Sequence, residues 1–360
     1  MRVLVGIGTI FFIVFILIAG LGSTQRVIEP PRTYRVGVLM IGDAADSSWN
    51  AAHQQGLAKA AETLDLMLQY KENVTPETCR AAADMLIADG CNIIVSTSIA
   101  FEPEMVEAAE AHHDVMFLQA TGTQVRPNLV PYMGRMYQAR YLAGIVAGRT
   151  TRTGAIGYVA ATEIPETIRG IDAFTLGVRR AAPEALVYVR YSGTWSDDEA
   201  TKAATEALLA AEPAIDILAM HIDTYGPLDV ARAHGIRAIG CNAANPAYQD
   251  VLLTAPIWHW DTIYEKYLQD AMKGRHTARR GLTGIETGIV GLAPLASDVT
   301  PETTRAVRQM TQLLEDGETD VFYGPVTDAD GRLRVPKGEN LSDTELFDRL
   351  DWYVEGVVLR

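Results

Sequence analysis

The chain has 360 residues, 48% of them hydrophobic and 21% charged, which is long enough for two domains and excludes wholesale disorder. Its formal net charge of −14 argues against nucleic acid and against docking on an anionic lipid surface, because both require clustered Lys and Arg.

Residues Val3–Leu21 are almost wholly apolar behind Arg2. As a helix this stretch would span roughly 30 Å, the thickness of a bilayer core. Residues 1–24 therefore read as a signal peptide or a membrane anchor, with small residues for cleavage at Ala19-Gly-Leu-Gly-Ser23, and residues 25–33 read as a tether containing Pro30-Pro31. The protein would touch the membrane through this segment if it stays uncleaved. No cysteine follows it to accept a lipid, and Cys79, Cys91 and Cys241 are expected as buried thiols.

From Tyr34 onward strands and helices alternate. Arg35–Ile41 is an apolar run bounded by turn residues, which predicts a buried strand, and Ala51–Leu64 carries Leu57, Ala60, Ala61 and Leu64 on one helical face. Strand Leu66–Tyr70 follows, and Thr75-Pro76-Glu77 starts a helix that runs to Ala88, with Thr as cap and Pro at the first position. Asn92–Thr97 and Val115–Gln119 read as strands around a helix at Pro103–Ala111. After a helix over about Met136–Arg149 the rhythm restarts. Strands are expected at Ala155–Ala160, Leu186–Tyr191, Asp216–His221 and Ile236–Cys241, and helices at Pro165–Arg180, Asp197–Ala211 and Tyr225–His234. Beyond Leu253 the pattern gives a crossing strand at Ile257–Asp261, a helix at Tyr264–Met272, a strand or turn at Gly288–Pro294, a helix at Pro301–Glu315 and a turn at Asp328–Gly331. That turn matches the opening of a calcium loop, but Lys337 stands where such a loop needs its final Glu, so a plain hairpin turn is expected.

The predicted fold class is α/β: two Rossmann-like lobes in series, each with a parallel sheet, enclosing a cleft. Lobe 1 takes residues 34–152 plus about 257–287, and lobe 2 takes residues 153–256 plus about 288–360. Clefts between domains are favoured ligand sites, and the carboxyl ends of parallel strands are where ligands collect. Several such strand ends carry aromatic and polar residues together: Trp49-Asn50, Thr97 to Phe101, Gly193 to Trp195, His221 to Tyr225, and Trp258-His259-Trp260-Asp261. Aromatic faces stack on flat rings, while carboxylates and amides read ring edges. On a strand, only one of Trp258 and Trp260 can face the cleft. Glu163 follows the first strand of lobe 2, at a cleft position. No nucleophile elbow, P-loop or His-Glu-x-x-His motif is present, and His112-His113 point different ways, so neither catalytic residues nor a metal or cofactor is expected.

The motifs Gly42…Ser48-Trp49-Asn50…Gly56, Gln69 to Val74, Tyr137 to Gly144, Gly154 to Tyr158, Gly193 to Trp195, Phe322 to Pro325, Asp330-Gly331 and Trp352 to Gly356 stand in an order and spacing that resemble the basic membrane protein family, from about Tyr34 to Val357. These are substrate-binding proteins of ABC transporters for nucleosides and purines, and the chain looks closest to the branch that binds free purine bases such as adenine. The resemblance implies a class I periplasmic-binding-protein architecture, in the periplasm or on the outer face of the cytoplasmic membrane. It also implies a purine or nucleoside ligand, an ABC permease as partner, and ligand positions at Trp49, Asn50, Trp195, Asp223 and Trp260. Two departures stand out. The family places an aromatic where Ile99 stands, a role Phe101 would fill, and the acidic residue expected just before the final tryptophan is replaced around Trp258. A membrane-tethered sensing module is the alternative reading, and a periplasmic nucleoside hydrolase using Asp43, Asp46 or Asp223 is a third.

Overall fold

In the computed structural model, which describes residues 33–44, 49–274 and 281–360, strands and helices take turns along most of the chain. The N-terminal apolar segment and nearly all of the tether lie outside the described residues. The first part runs β1 (Arg35–Leu39), α1 (Trp49–Leu64), β2 (Met67–Lys71), α2 (Pro76–Ala88), β3 (Ile93–Ser96), α3 (Glu102–Ala111), β4 (Met116–Ala120), β5 (Leu129–Gly134) and α4 (Met136–Thr150). The second part runs β6 (Ala155–Ala160), α5 (Pro165–Ala181), β7 (Leu186–Tyr191), α6 (Asp198–Ala211), β8 (Ile217–His221), α7 (Gly226–His234), β9 (Arg237–Ile239) and β10 (Leu252–Thr254). The remainder holds β11 (Pro256–Trp258), α8 (Trp260–Met272), β12 (Gly281–Thr283), β13 (Val290–Leu292), α9 (Pro301–Glu315), β14 (Val326–Thr327), β15 (Leu333–Val335) and β16 (Val357–Leu359).

The strands assemble into two six-stranded parallel sheets, β2-β1-β3-β4-β5-β12 and β16-β7-β6-β8-β9-β10. Each core of five repeats the doubly wound order 2-1-3-4-5, with a late strand added at one edge: β12 beside β5, and β16 beside β7. Both sheets are covered on two faces, so strands such as β3 and β8 are buried along their whole length and read as continuous apolar runs. The expected α/β two-sheet class is the one observed.

Local chemistry explains the boundaries. Thr78 Oγ1 accepts from Thr75 N at 2.9 Å, and Pro76 opens α2. Asp197 Oδ1 accepts from Ala200 N at 3.0 Å to cap α6. The turn at Asp328–Gly331 joins the antiparallel pair β14–β15, and all three cysteines are free and buried.

One expectation is overturned and several short elements were not anticipated. The crossing strand expected at Ile257–Asp261 stops at Trp258, where β11 pairs with β13, and α8 starts at Trp260 rather than Tyr264. Backbone pairing of β11 ends there, and His259 turns the chain into a helix that packs along α1. Strands β5, β10, β12 and β16 had no counterpart in the expected pattern.

Candidate ligand-binding site

The carboxyl ends of both sheets open into one cavity of about 960 Å³. From the first sheet its wall takes Ile41 and Gly42 after β1, Thr97, Ser98 and Ile99 after β3, and Thr121 after β4. From the second it takes Ile164 and Glu166 after β6, Trp195 and Ser196 after β7, His221, Asp223, Thr224 and Tyr225 around the end of β8, and Asn242 after β9. In each sheet these positions include the switch point between the first and third strands, where open α/β sheets collect ligands.

Trp49 is the first residue of α1, lines the cavity, and donates its indole N–H to Thr97 O at 2.8 Å. That bond ties α1 to the end of β3 and fixes the ring plane. Asn50 follows it, is buried, and also lines the cavity. Across from them, the Trp195 ring meets His221 edge-on at 5.8 Å, and Asp223 N donates to Trp195 O at 2.9 Å. Asp223 Oδ1 accepts from Asn242 Nδ2 at 3.0 Å, and Asn242 Oδ1 in turn accepts from Trp258 Nε1 at 3.2 Å. Asn242 has φ of +60°, a left-handed conformation that Asn tolerates better than most residues. The turn lets one amide bridge a carboxylate and an indole. So Trp49, Asn50, Trp195 and Asp223 share one cavity.

The other three expected residues lie elsewhere. Phe101 is fully buried beneath the first sheet with Leu39, Leu86 and Met105, while Ile99 faces the cavity and is 47% exposed. The two sit in one three-residue 3₁₀ turn, whose geometry sends residues two apart to different sides. Glu163 accepts from the Tyr353 hydroxyl at 2.7 Å, toward the C-terminal tail, and it is Ile164 and Glu166 that reach the cavity. Trp260 is buried behind Trp258, stacked on it at 4.7 Å between ring centroids and tilted against His53 at 3.8 Å, and Trp258 supplies the cavity surface. Because helix α8 starts between them, the two indoles overlap instead of alternating across a strand.

Behind this stack, His53 Nδ1 lies 2.5 Å from Tyr264 Oη, which is 2.9 Å from Tyr132 Oη. Burial pushes the His53 imidazole down to about 3 and holds His221 well below its usual value, with Arg140 and Arg169 adding to the effect at His221. Both rings are therefore neutral at physiological pH. The largest group that sequence reasoning passed over is Arg140, a cavity residue in the middle of α4. Its signal was present: one charged residue in a run, Met136 to Gly148, that is otherwise uncharged and mostly apolar. Asp198, Asp229, Tyr225 and Tyr248 complete the second sheet's rim, where Lys202 bridges Asp198 at 2.6 Å and Asp229 at 3.3 Å, and the Tyr248 hydroxyl donates to Asp229 at 2.8 Å. Among the described residues no group of His, Cys, Asp and Glu is placed to hold a metal ion. The site offers stacking surfaces, donors and acceptors, which suits reversible capture of a planar polar molecule.

The fold has known counterparts. An ABC transporter solute-binding protein from Conexibacter woesei superposes with a TM-score of 0.69 at 21% identity, covering 80% of this chain and 98% of that one, a likeness of fold. A protein of Haloferax volcanii described as an ABC transporter glucose-binding protein is 31% identical over 327 residues, 90% of this chain and 80% of that one. A purine-binding protein of Brucella abortus is 28% identical over 328 residues, 90% of this chain and 92% of that one. The family model for PnrA-like ABC transporter substrate-binding proteins matches residues 33–315. With that match across both sheets, the chain belongs to the Bmp family of PnrA-like ABC transporter substrate-binding proteins.

Proposed function

We propose that the protein captures a purine base or purine nucleoside in this cavity and passes it to an ABC permease. ABC transporter substrate-binding proteins work outside the cytoplasm by delivering small ligands to a permease, and the family consists of binding proteins, not enzymes. The observation that carries the purine reading is the pairing of one indole from each sheet, Trp49 and Trp195, with the Asn50 amide and the Asp223 carboxylate on the same cavity. Two stacking faces from opposite lobes hold a flat ring, and the polar groups read its edges or a sugar. Closure of the lobes would follow from contacts that only the closed state makes with ligand from both sides. The expected N-terminal export segment or anchor supports capture in the periplasm or at the outer face of the membrane.

A second reading, a free sugar, is favoured by the name of the Haloferax volcanii relative, and indoles beside carboxylates and a guanidinium also suit a hydroxylated ring. Calorimetry with adenine, hypoxanthine, adenosine, guanosine and glucose separates the two. Purine binding tighter than about 100 μM, roughly 5.5 kcal/mol, is expected, and its absence for all four purines sinks the reading. Trp49→Ala should weaken purine binding by about 1–3 kcal/mol, the worth of stacking on an aromatic face. Asp223→Ala should weaken it too while the protein stays folded, and unchanged affinity would remove that residue from the site.

A further inference from the structure

The buried guanidinium of Arg140 bears on which purine is bound. Arg140 is 3% exposed and lines the cavity from α4. Its Nη1 donates to Tyr158 Oη at 3.2 Å and to Met220 O at 3.4 Å, and its Nη2 donates to Cys241 Sγ at 3.4 Å. A guanidinium has five N–H groups. Among the described residues the other two have no protein partner, and no carboxylate lies within ion-pair reach. Cβ atoms are excluded from the neighbouring space, since one at Gly170 would sit 2.8 Å from His221 Nδ1 and 3.0 Å from Arg140 Cδ. The glycine lets the His221 ring and the Arg140 stem lie close against α5. A buried cation with donors to spare is costly until an acceptor arrives, and the opening next to it is the ligand cavity.

Building on the purine reading, we propose that Arg140 makes the cavity select 6-oxopurines, namely guanine, hypoxanthine and their nucleosides, over adenine and adenosine. O6 and N7 of a 6-oxopurine are adjacent acceptors that match a pair of guanidinium N–H groups, the arrangement by which arginine reads guanine in nucleic acids. Adenine presents an amino donor beside N7, so one guanidinium N–H would face another donor and both would go unpaired. An amide such as Asn50 pairs well with adenine, but its carbonyl and amino ends can serve either purine. The guanidinium has donors only and cannot adapt. Asp223 and Glu166, on the same walls, are acceptors of the kind guanine requires at its N1–H and 2-amino groups.

The test titrates the full-length protein with guanosine, inosine, adenosine and 7-deazaguanosine, which lacks the N7 acceptor. Guanosine and inosine should bind about tenfold or more tighter than adenosine, and 7-deazaguanosine about tenfold weaker than guanosine. Arg140→Gln should collapse the preference while adenosine still binds, with thermal unfolding reporting whether the variant folds. If it does not fold, the analogue comparison on the unaltered protein still decides. Adenosine binding as tightly as guanosine, or 7-deazaguanosine matching it, overturns the role of Arg140 and leaves the purine reading standing. Failure of every purine to bind overturns both.

Discussion

Asp172 and His53 are buried ionisable groups whose effects on stability run in opposite directions with pH. Asp172 Oδ1 accepts from Val354 N at 2.9 Å, its Oδ2 has no partner, and burial raises its pKa well above the usual carboxylate value. A raised folded pKa gives stability that is full below the unfolded value of about 4 and is lost as pH climbs toward the folded value. His53 and His221 are lowered, so their contribution is present above about 6.5 and lost as pH falls below it. Asp172→Asn keeps the shape and removes the ionisation. The Tm difference between Asp172→Asn and the unaltered protein should therefore grow in the variant's favour from pH 4.5 to pH 8. A flat difference would show that Asp172 does not titrate against folding in this range. At this scale the sequence was informative about residue types at strand ends and silent about their direction. Trp49, Asn50, Trp195 and Asp223 share the cavity, but direction failed at Phe101, Glu163 and Trp260. A one-residue step in a turn or at a helix start decides which side chain points inward, and nothing in the composition of Thr97 to Phe101 or Trp258 to Asp261 sets that step.

At the scale of elements, α4 and α5 share the most extensive helix–helix contact among the described residues, and glycines make that contact possible. A Cβ at Gly177 would lie 2.0 Å from Tyr141 O, one at Gly144 2.1 Å from Phe174 O, and one at Gly148 2.4 Å from Val178 O. All three neighbours are backbone atoms that cannot swing aside, so an added methyl must push the helices apart. Gly177→Ala should cost about 1–3 kcal/mol by overpacking, and it should also disturb Arg140 and Glu166, which these helices carry into the cavity. Gly291→Ala is the control, because its Cβ would meet nothing closer than His259 Nε2 at 3.4 Å. Thermal unfolding of the pair tests this: a Gly177→Ala Tm equal to that of Gly291→Ala would remove the close-contact explanation. The Gly144-x-x-x-Gly148 spacing was visible in the sequence, which predicted a helix over about Met136–Arg149 but not what packs around it. It is in fact buried nearly all round, since it packs on α5 and also touches β10, β11, β13 and α9. The strands that went unread have a related cause. β10, β12 and β16 have three residues each, too few to show alternation, and β5 carries Pro131, which weakens any strand signal. Partners distant in sequence create these strands, as β5 does for β12 and β7 for β16.

Over the whole molecule, the charge that excluded nucleic acid also shapes the cavity. Among its described lining residues, Glu166, Asp198, Asp223 and Asp229 are acidic and Arg140 is the only Lys or Arg, with Lys202 bridging two of the acids from behind. Helix N-termini at strand ends commonly hold phosphate, since unpaired N–H groups and the helix dipole favour an anion there. Here the three second-sheet helices that open onto the cavity already carry acids in their first turns: Glu166 in α5, Asp198 and Glu199 in α6, and Asp229 in α7. A phosphate would lose those sites and meet like charge, at about 1 kcal/mol for each pair of unit charges 8 Å apart in a medium of effective dielectric about 40. The protein should therefore take unphosphorylated ligand. Adenosine 5′-monophosphate and guanosine 5′-monophosphate are expected to bind at least about tenfold more weakly than their nucleosides in low salt, with a gap that narrows as salt screens the repulsion. Replacing Asp198 and Asp229 together by Asn should narrow it further without added salt. Calorimetry of each nucleoside beside its monophosphate at about 20 mM and about 500 mM salt provides the check. Equal affinities at low salt would mean that the acidic wall does not face the ligand's 5′ position, and that the rim formed by α6 and α7 lies away from the sugar.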